Sequence, residues 1–273
     1  MITGKILGEF YVRNGRSADA SGMVPDMSAD IYYEVIRLID RKLLFLPDHL
    51  ERLQRSASGS GIPHPGNTQI IENLSLLIRK NTFREGNIRI CLQRSNGSET
   101  VLQCYFIPYF YPDANMYHTG VRLSVYPHQR PNPGIKKWDD QFRNSVSRYI
   151  LEQKVYEAAL LNPEQQITEG SRSNIFFIDR KGMLSTAPEK EVLPGITRKY
   201  VLEIARSENI PVQERIWSLT ELDQLVSVFI SGTSPKVLPV QQIDNHVFDA
   251  AHPLLHLFME RFERVVQVNL THV

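Results

Sequence analysis

The sequence predicts a two-domain protein of the α/β class, with strands and helices mixed in the α+β manner. The chain has 273 residues, of which 42% are hydrophobic. At roughly 100–200 residues per domain, this length suits two modest domains that each bury a core. Residues 129–134 hold two prolines and a glycine, which is typical of a linker. We therefore expect an N-terminal α/β domain at 1–128, a linker at 129–134 and a C-terminal α/β domain at 135–273.

The N-terminal domain is predicted to be mainly strands, with two amphipathic helices. Asn14-Gly15 is typical of a tight turn after the first strand. The polar stretch 16–30 lacks periodicity and is predicted to be a loop, and 95–98 is predicted to be a turn. The strands are expected at 5–13, 31–39, 43–46, 87–94, 100–109 and 120–126, and the helices at 47–56 and 70–80.

The C-terminal domain is predicted to combine short strands with three helices. Helical spacing of apolar residues indicates the helices, and short apolar runs indicate the strands. The helices are expected at 140–151, 197–208 and 252–266, and the strands at 156–161, 174–178, 183–185 and 226–230.

Composition excludes several classes of protein. Thirty-one basic residues against 30 acidic residues give no electrostatic case for binding nucleic acid or an anionic membrane. No apolar run approaches the roughly 20 residues that cross a bilayer, and the start of the chain does not resemble a signal peptide. The two cysteines, Cys91 and Cys104, suggest neither a metal cage nor a disulfide framework. We expect a cytoplasmic protein without a metal.

The stretch 167–177 combines a carboxylate, Glu169, with glycine and small polar residues before an apolar run. Glycine allows close approach of the backbone to a ligand, and the carboxylate could face a fixed positive group. The alternative is a polar turn that leads into a buried strand.

Two later segments have the composition of anion-binding turns. Gly195 and Thr197 lie at the start of a predicted helix, where unpaired backbone N–H groups and the helix dipole favour an anion. Residues 231–234 (SGTS) follow an apolar strand and supply hydroxyl groups and a glycine. The alternatives are an ordinary helix cap and an ordinary loop.

Arg52 and two lysines could contribute positive charge. Arg52 lies between leucines on the first predicted helix, and its rigid fork suits phosphate; the alternative is pairing with Asp48 or Glu51 along the helix. Lys136 and Lys137 directly follow the linker, and a lysine becomes a nucleophile when its surroundings favour the neutral amine. The alternative is that both are surface charges.

A lysine amine, a carboxylate and several phosphate-binding groups together match one ligand, pyridoxal 5′-phosphate. Its aldehyde forms a Schiff base with lysine, and its pyridine nitrogen stays protonated beside a carboxylate. Its phosphate is suited to backbone N–H groups, hydroxyl groups and an arginine.

Four segments in this order resemble the class IV aminotransferases, the fold type IV pyridoxal-phosphate enzymes. They are HLERL at 49–53, ITEGSRSNIF at 167–176, LPGITR at 193–198 and SGT at 231–233. The family includes branched-chain and D-amino acid aminotransferases and 4-amino-4-deoxychorismate lyase. The resemblance implies a cofactor in the cleft between two domains, amino acid and keto acid substrates, and a homodimer.

The resemblance also implies roles for individual residues. Lys136, rather than Lys137, corresponds to the Schiff-base lysine, because counting back from the strand at 156–161 leads to it. Tyr33 matches a tyrosine near the substrate carboxylate. The resemblance assigns six residues to the cofactor phosphate: Arg52, Gly195, Ile196, Thr197, Gly232 and Thr233. It assigns Glu169 to the pyridine nitrogen and places Leu193 against the ring.

Some residues depart from the family pattern and leave the reaction open. Residues 138–141 (WDDQ) lack the Asn-Tyr or Asn-Leu of many relatives, and Pro235-Lys236 replaces a small residue and a glutamate. Arg172 adds a cation where many relatives have a small residue, which makes it a candidate for substrate binding. Transamination is the leading hypothesis, a lyase that releases pyruvate and 4-aminobenzoate from 4-amino-4-deoxychorismate is the alternative, and a non-catalytic binding protein is the third.

Overall fold

The computed structural model describes residues 5–23, 30–94 and 100–273. The chain divides into two compact units. The first unit comprises Met1–Phe110, Ile135–Gln141 and Val266–Val273, and the second comprises Tyr111–Gly134 and Phe142–Val265.

The first unit is built on a seven-stranded antiparallel sheet. Its order is β17-β4-β3-β5-β6-β1-β2. The strands are β1 (Leu7–Arg13), β2 (Arg16–Asp19), β3 (Ile31–Ile39), β4 (Lys42–Leu44), β5 (Gly86–Arg94), β6 (Thr100–Ile107) and β17 (Leu270–Thr271).

Helices α1 (Leu46–Ser58) and α2 (Asn67–Lys80) contribute to the main core of the first unit. Successive side chains of a strand point to opposite faces, so β3 supplies Ile36 and Leu38 to this core and Tyr33 to a second cluster. That second cluster also contains Cys91, Tyr105 and Trp138. The sheet of the first unit is therefore covered on both faces.

The second unit is built on a ten-stranded mixed sheet. Nine strands follow the order β12-β11-β10-β14-β15-β7-β8-β9-β13, and β16 pairs with β15. They are β7 (Val121–Pro127), β8 (Glu157–Leu161), β9 (Gln166–Gly170), β10 (Asn174–Asp179), β11 (Leu184–Thr186), β12 (Val212–Glu214), β13 (Trp217–Ser218), β14 (Leu225–Gly232), β15 (Lys236–Ile243) and β16 (His246–Val247).

Four α-helices accompany this sheet, and three strand pairs in it are parallel. The parallel pairs are β7 with β8, β7 with β15, and β11 with β12. Apolar strand residues such as Ile175, Phe177 and Val228 form the core. The helices are α3 (Ala114–Thr119), α4 (Asp140–Gln153), α5 (Ile196–Ser207) and α6 (Pro253–Val268), and two short 3-10 helices lie at Glu189–Glu191 and Leu219–Gln224.

The structure differs from the predicted organisation in several places. The predicted loop at 16–30 is wrong at its start, because Arg16–Asp19 forms β2 and pairs with β1. The strand Lys236–Ile243 was not predicted. The units change at Phe110 rather than at 129–134 because Val121–Pro127 pairs with strands of the second sheet, and the segment 135–141 belongs to the first unit. The predicted turn at 95–98 lies outside the described residues.

Cys91 and Cys104 are buried free thiols. Burial raises the pKa of both, which disfavours the reactive thiolate. Across the residues described, none of the helices combines the length and hydropathy needed to span a membrane. Within the same part of the chain, no group of three His, Cys, Asp or Glu residues is placed to hold a metal ion.

Candidate active site

The lysine segment is fixed to strand β3 by backbone hydrogen bonds. The Tyr33 amide donates to the Lys136 carbonyl at 3.1 Å, and the Trp138 amide donates to the Ile31 carbonyl at 2.8 Å. The Lys136 amide in turn donates to the Ser56 hydroxyl on α1 at 3.2 Å. Residues 136–138 therefore run as an extended segment beside β3, and the backbone of Lys136 is held on two sides.

The two neighbouring lysines have different surroundings. Lys136 is half-buried, and its Nζ lies 5.1 Å from the centroid of the Tyr33 ring. Lys137 is exposed, and its Nζ lies 2.8 Å from the Asp30 carboxylate. The hydrogen bond with Asp30 raises the pKa of Lys137. A raised pKa keeps the Lys137 amine protonated and makes it a poorer nucleophile.

Arg52 belongs to a buried charged cluster. Its Nε donates to Glu34 Oε1 at 2.7 Å and its Nη2 donates to Glu34 Oε2 at 2.6 Å. His49 Nδ1 lies 2.8 Å from Glu34 Oε2. Burial raises the pKa of Glu34, but the charge of Arg52 and the hydrogen bonds from Arg52 and His49 outweigh it and hold that pKa well below its usual range. Burial lowers the pKa of His49. Arg52 is thus paired with a carboxylate on strand β3.

Glu169, in the second unit, is held at both carboxylate oxygens. Arg130 Nε donates to Glu169 Oε1 at 2.8 Å, and the Leu193 amide donates to Glu169 Oε2 at 3.0 Å. Glu169 is only 2% exposed. The Glu169 carboxylate is therefore buried and held in position by a guanidinium and a backbone amide.

The turn after Glu169 is organised around a second buried carboxylate, Glu157. Glu157 accepts hydrogen bonds from the Ser171 hydroxyl at 3.0 Å, the Arg172 amide at 2.5 Å and the Ser173 hydroxyl at 2.8 Å. A Cβ added to Gly170 would lie 2.2 Å from the Ser173 hydroxyl. The glycine is therefore required by close packing at this turn.

Strand pairing brings three of the motif segments together within the second unit. Asn174 on β10 is opposite Ser231 on β14, and Asn174 Nδ2 donates to the Leu193 carbonyl at 2.9 Å. A Cβ built on Gly232 would lie 3.5 Å from the Arg172 carbonyl. The segments 167–176, 193–198 and 231–233 therefore meet at one end of the β10–β14 pair.

Helix α5 begins inside this group of segments. Gly195 is its N-cap residue and supplies no side-chain hydrogen bond to the first turn. Thr197 in that turn is buried. Unpaired N–H groups at a helix start attract anions, so the start of α5 is suited to a phosphate.

Gly195→Ala is expected to destabilise the fold by about 1–3 kcal/mol through overpacking. The added Cβ would lie 2.0 Å from Asn174 Oδ1, and Asn174 is fixed by its bond to Leu193. Gly134→Ala is the matched control, because a Cβ there meets no atom within 4 Å. The measurement is the free energy of unfolding in urea. Equal stability of the two variants would contradict this packing.

The predicted site residues fall into two sets. Tyr33, Arg52 and Lys136 belong to the first unit, and the remaining residues belong to the second unit. The Arg172 side chain is exposed, whereas its backbone lies at the turn beside Gly232. The second set is Glu169, Arg172, Leu193, Gly195, Ile196, Thr197, Gly232 and Thr233.

Several residues in contact with these positions were not predicted from the sequence. Arg130 was assigned only to the linker, although it carries the only charge in residues 129–134. Glu34 and Arg89 are charged residues that lie between apolar neighbours in strands β3 and β5, and that contrast is a signal that sequence reasoning could have used. Ser231, in contrast, belongs to the predicted segment 231–234; it is buried, and its hydroxyl has no hydrogen-bond partner among the described residues.

The chain is similar to curated aminotransferases. The sequence profile of the amino-transferase class IV family matches residues 32–243. A putative branched-chain-amino-acid aminotransferase of Methanocaldococcus jannaschii is 30% identical over 238 residues, which cover 81% of each chain. A D-alanine aminotransferase of Listeria monocytogenes is 27% identical over 230 residues, which cover 79% of this chain and 78% of the relative.

Solved structures have the same fold. A branched-chain aminotransferase from Thermoproteus uzoniensis is 25% identical with a TM-score of 0.83, over 97% of this chain and 99% of the other. A putative 4-amino-4-deoxychorismate lyase from Legionella pneumophila is 24% identical with a TM-score of 0.79, over 89% of this chain and 97% of the other. The expected family and the expected α/β fold are confirmed, and the chain belongs to the class IV aminotransferases.

Proposed function

We propose that the protein is a pyridoxal-phosphate-dependent aminotransferase that moves an amino group between an amino acid and a 2-keto acid through Lys136. Class IV aminotransferases use this cofactor. The main support is the second-unit cluster: the buried Glu169 accepts a hydrogen bond from Leu193, just before α5, and Asn174 connects Leu193 with Ser231 on β14. The buried carboxylate matches the pyridine nitrogen of the cofactor, and the two anion-binding turns match its phosphate.

The donor groups in the second unit fit the cofactor's chemistry. The buried Ser231 hydroxyl without a partner and the helix start at Gly195 can donate to phosphate oxygens. Each Glu169 oxygen has a second lone pair and can accept the pyridinium N–H. Leu193 is proposed to pack on the ring. We assign Ile196, Thr197, Gly232 and Thr233 to the phosphate.

The first unit is proposed to supply the amine and one phosphate-binding cation to the same cofactor. Arg52 is held as a rigid fork by Glu34, which orients its guanidinium. Lys136 is half-buried beside Tyr33. Tyr33 and Arg172 are proposed to contact the substrate.

Lys136 is proposed to act as both the base and the acid of the reaction. With the cofactor bound, its amine would take the proton from the substrate Cα and return it at C4′ of the cofactor. The bound cofactor supplies an electron-accepting ring for the electron pair left at Cα. Glu169, oriented by its hydrogen bond from Arg130, would accept a hydrogen bond from the pyridine N–H.

The direct test is a half-reaction. Protein loaded with pyridoxal phosphate is mixed with single amino donors, L- and D-isomers included, and the absorbance of the pyridoxamine form is followed. We expect conversion with at least one donor and release of its keto acid in equal amount. No conversion with any donor would contradict transamination.

The lyase alternative uses the same residues, and the Legionella structure shares the fold. The aminotransferase relatives favour transamination. Incubation with 4-amino-4-deoxychorismate and no keto acid separates the two hypotheses, because only a lyase would release pyruvate continuously under that condition.

We also propose a homodimer that works in the cytoplasm, as the family resemblance and the composition imply. Sedimentation of the purified protein tests the dimer, and a monomer at micromolar concentration would contradict it.

A further inference from the structure

Arg89 is a buried cation enclosed by aromatic rings in the first unit. It lies on β5 and is 9% exposed. Its guanidinium carbon is 4.4 Å from the centroid of the Trp138 ring, 5.7 Å from that of Tyr33 and 5.9 Å from that of Tyr105. Arginine stays protonated in proteins, and a desolvated cation on a tryptophan face is among the stronger cation–π contacts. The contact with Trp138 is therefore expected to fix the indole ring.

Trp138 lies two residues after Lys136 in the extended segment. Side chains two residues apart in an extended chain lie on the same side, whereas the residue between them points away. The contacts agree with this alternation. The Lys136 amine and the Trp138 ring both contact Tyr33, at 5.1 Å and 5.4 Å from its ring centroid. Lys137 instead pairs with Asp30.

Trp138 is also the anchored end of the segment. Its amide bonds to the Ile31 carbonyl, and its side chain is 9% exposed within the cluster of Tyr33, Cys91 and Tyr105. On its other side, the chain continues to the exposed residues Asp139 and Asp140. Within residues 136–140, the side chain of Trp138 is the most buried, so it adds a side-chain anchor to the backbone hydrogen bonds that hold the segment beside β3.

We propose that Trp138, held by Arg89, is a positioning residue that sets the location of the Lys136 amine. Arg89 contacts the indole of Trp138 and fixes it. The indole and the Lys136 amine both contact the ring of Tyr33. Loss of the Trp138 indole is expected to let residues 136–138 shift slightly relative to β3. This inference rests on the proposed function, because Lys136 is taken as the lysine that bonds the cofactor.

The test measures which lysine bonds pyridoxal phosphate, without measuring turnover. Full-length apoprotein is mixed with one equivalent of pyridoxal phosphate, reduced with borohydride at successive times and digested, and the modified lysine is identified by mass spectrometry. The variants are Trp138→Leu, Trp138→Phe and Arg89→Met, at a temperature well below unfolding. Lys137 in the same peptide and the exposed Lys199 are internal controls.

We expect rapid modification of Lys136 in the unsubstituted protein. Its rate should fall about tenfold or more in Trp138→Leu and Arg89→Met, as for a small misplacement of a reacting group. Trp138→Phe keeps an aromatic face and should stay within about threefold of the original rate. The rates at Lys137 and Lys199 should not change.

The outcomes separate this inference from the proposed function. Modification of Lys137 or of no lysine in the unsubstituted protein would overturn both. Modification of Lys136 at the same rate in all variants would overturn the inference and leave the proposed function intact. A similar change at every lysine would show general loosening of the fold and would also overturn the positioning role; Arg89→Met decides the matter if Trp138→Leu does not fold.

Discussion

Lys136→Ala is expected to reduce transamination by at least about a thousandfold, because the same amine bonds the cofactor and transfers the proton. Lys137→Ala is expected to keep activity within about threefold of the original. The structural reason is the contrast between the two side chains. Lys136 is half-buried beside Tyr33, whereas Lys137 is exposed and paired with Asp30.

The measurement is kcat with the best donor found in the half-reaction, together with the absorbance of the bound cofactor. Lys136→Ala should lack the absorbance of the bond between protein and cofactor and still bind pyridoxal phosphate, because the proposed phosphate contacts remain. Lys137→Ala should show the normal absorbance. Turnover retained by Lys136→Ala and lost by Lys137→Ala would reverse the assignment of the lysine.

Regular elements were predictable where local pattern and tertiary packing agree. The helix predicted at 70–80 appears as Asn67–Lys80, and the strand predicted at 31–39 appears as Ile31–Ile39. The strand Lys236–Ile243 was missed, and it contains Pro239, which faces Phe229 in the middle of the sheet order. A proline argues against an interior strand on sequence grounds, so only the surrounding sheet reveals this one.

The motif segments were predictable from the sequence, but their supporting contacts were not. From the sequence alone, the expected ion-pair partners of Arg52 are the carboxylates within one helical turn of it. Its observed partner Glu34 is on another element, 18 residues away. Arg130 and Glu169 are separated by 39 residues. Such pairs are created by the packing of distant elements, and a single sequence does not record which elements meet.

The domain boundary was difficult to predict for a similar reason. A proline-rich linker marks a break in local structure, but a compact unit is defined by contacts between distant segments. Residues 135–141 follow the linker and still pair with β3 through Tyr32 and Lys137. The lysine thus belongs to the unit that precedes the linker in sequence.

Glu34→Gln is expected to lower the free energy of unfolding by about 3–5 kcal/mol at pH 7, because it leaves the buried charge of Arg52 without its counter-ion. Glu34 is fully buried and Arg52 is 5% exposed. Glu51→Gln is the matched control: Glu51 lies on the same helix as Arg52 and pairs with the exposed Arg55, and such pairs contribute less than about 1 kcal/mol. Chemical denaturation of both variants provides the comparison.

The pH dependence should distinguish loss of charge from loss of packing. The pKa of Glu34 is lowered in the fold from 4.5, so its stabilisation is present above that pH and is lost as the pH falls below it. The acid side of the stability profile should therefore be shallower in Glu34→Gln than in the unsubstituted protein. Parallel acid profiles for the two proteins would contradict an ionised Glu34.

The same variant connects the stability of Arg52 to its proposed role in phosphate binding. With Glu34 neutralised, the Arg52 guanidinium loses the negative charge of this carboxylate, and a bound anion supplies a negative charge in its place. Inorganic phosphate at millimolar concentration should therefore raise the unfolding temperature of Glu34→Gln more than that of the unsubstituted protein. Glu34→Gln combined with Arg52→Met should recover much of the lost stability and should not respond to phosphate at this site. A phosphate response that is equal in all three proteins would show that Arg52 does not bind the anion.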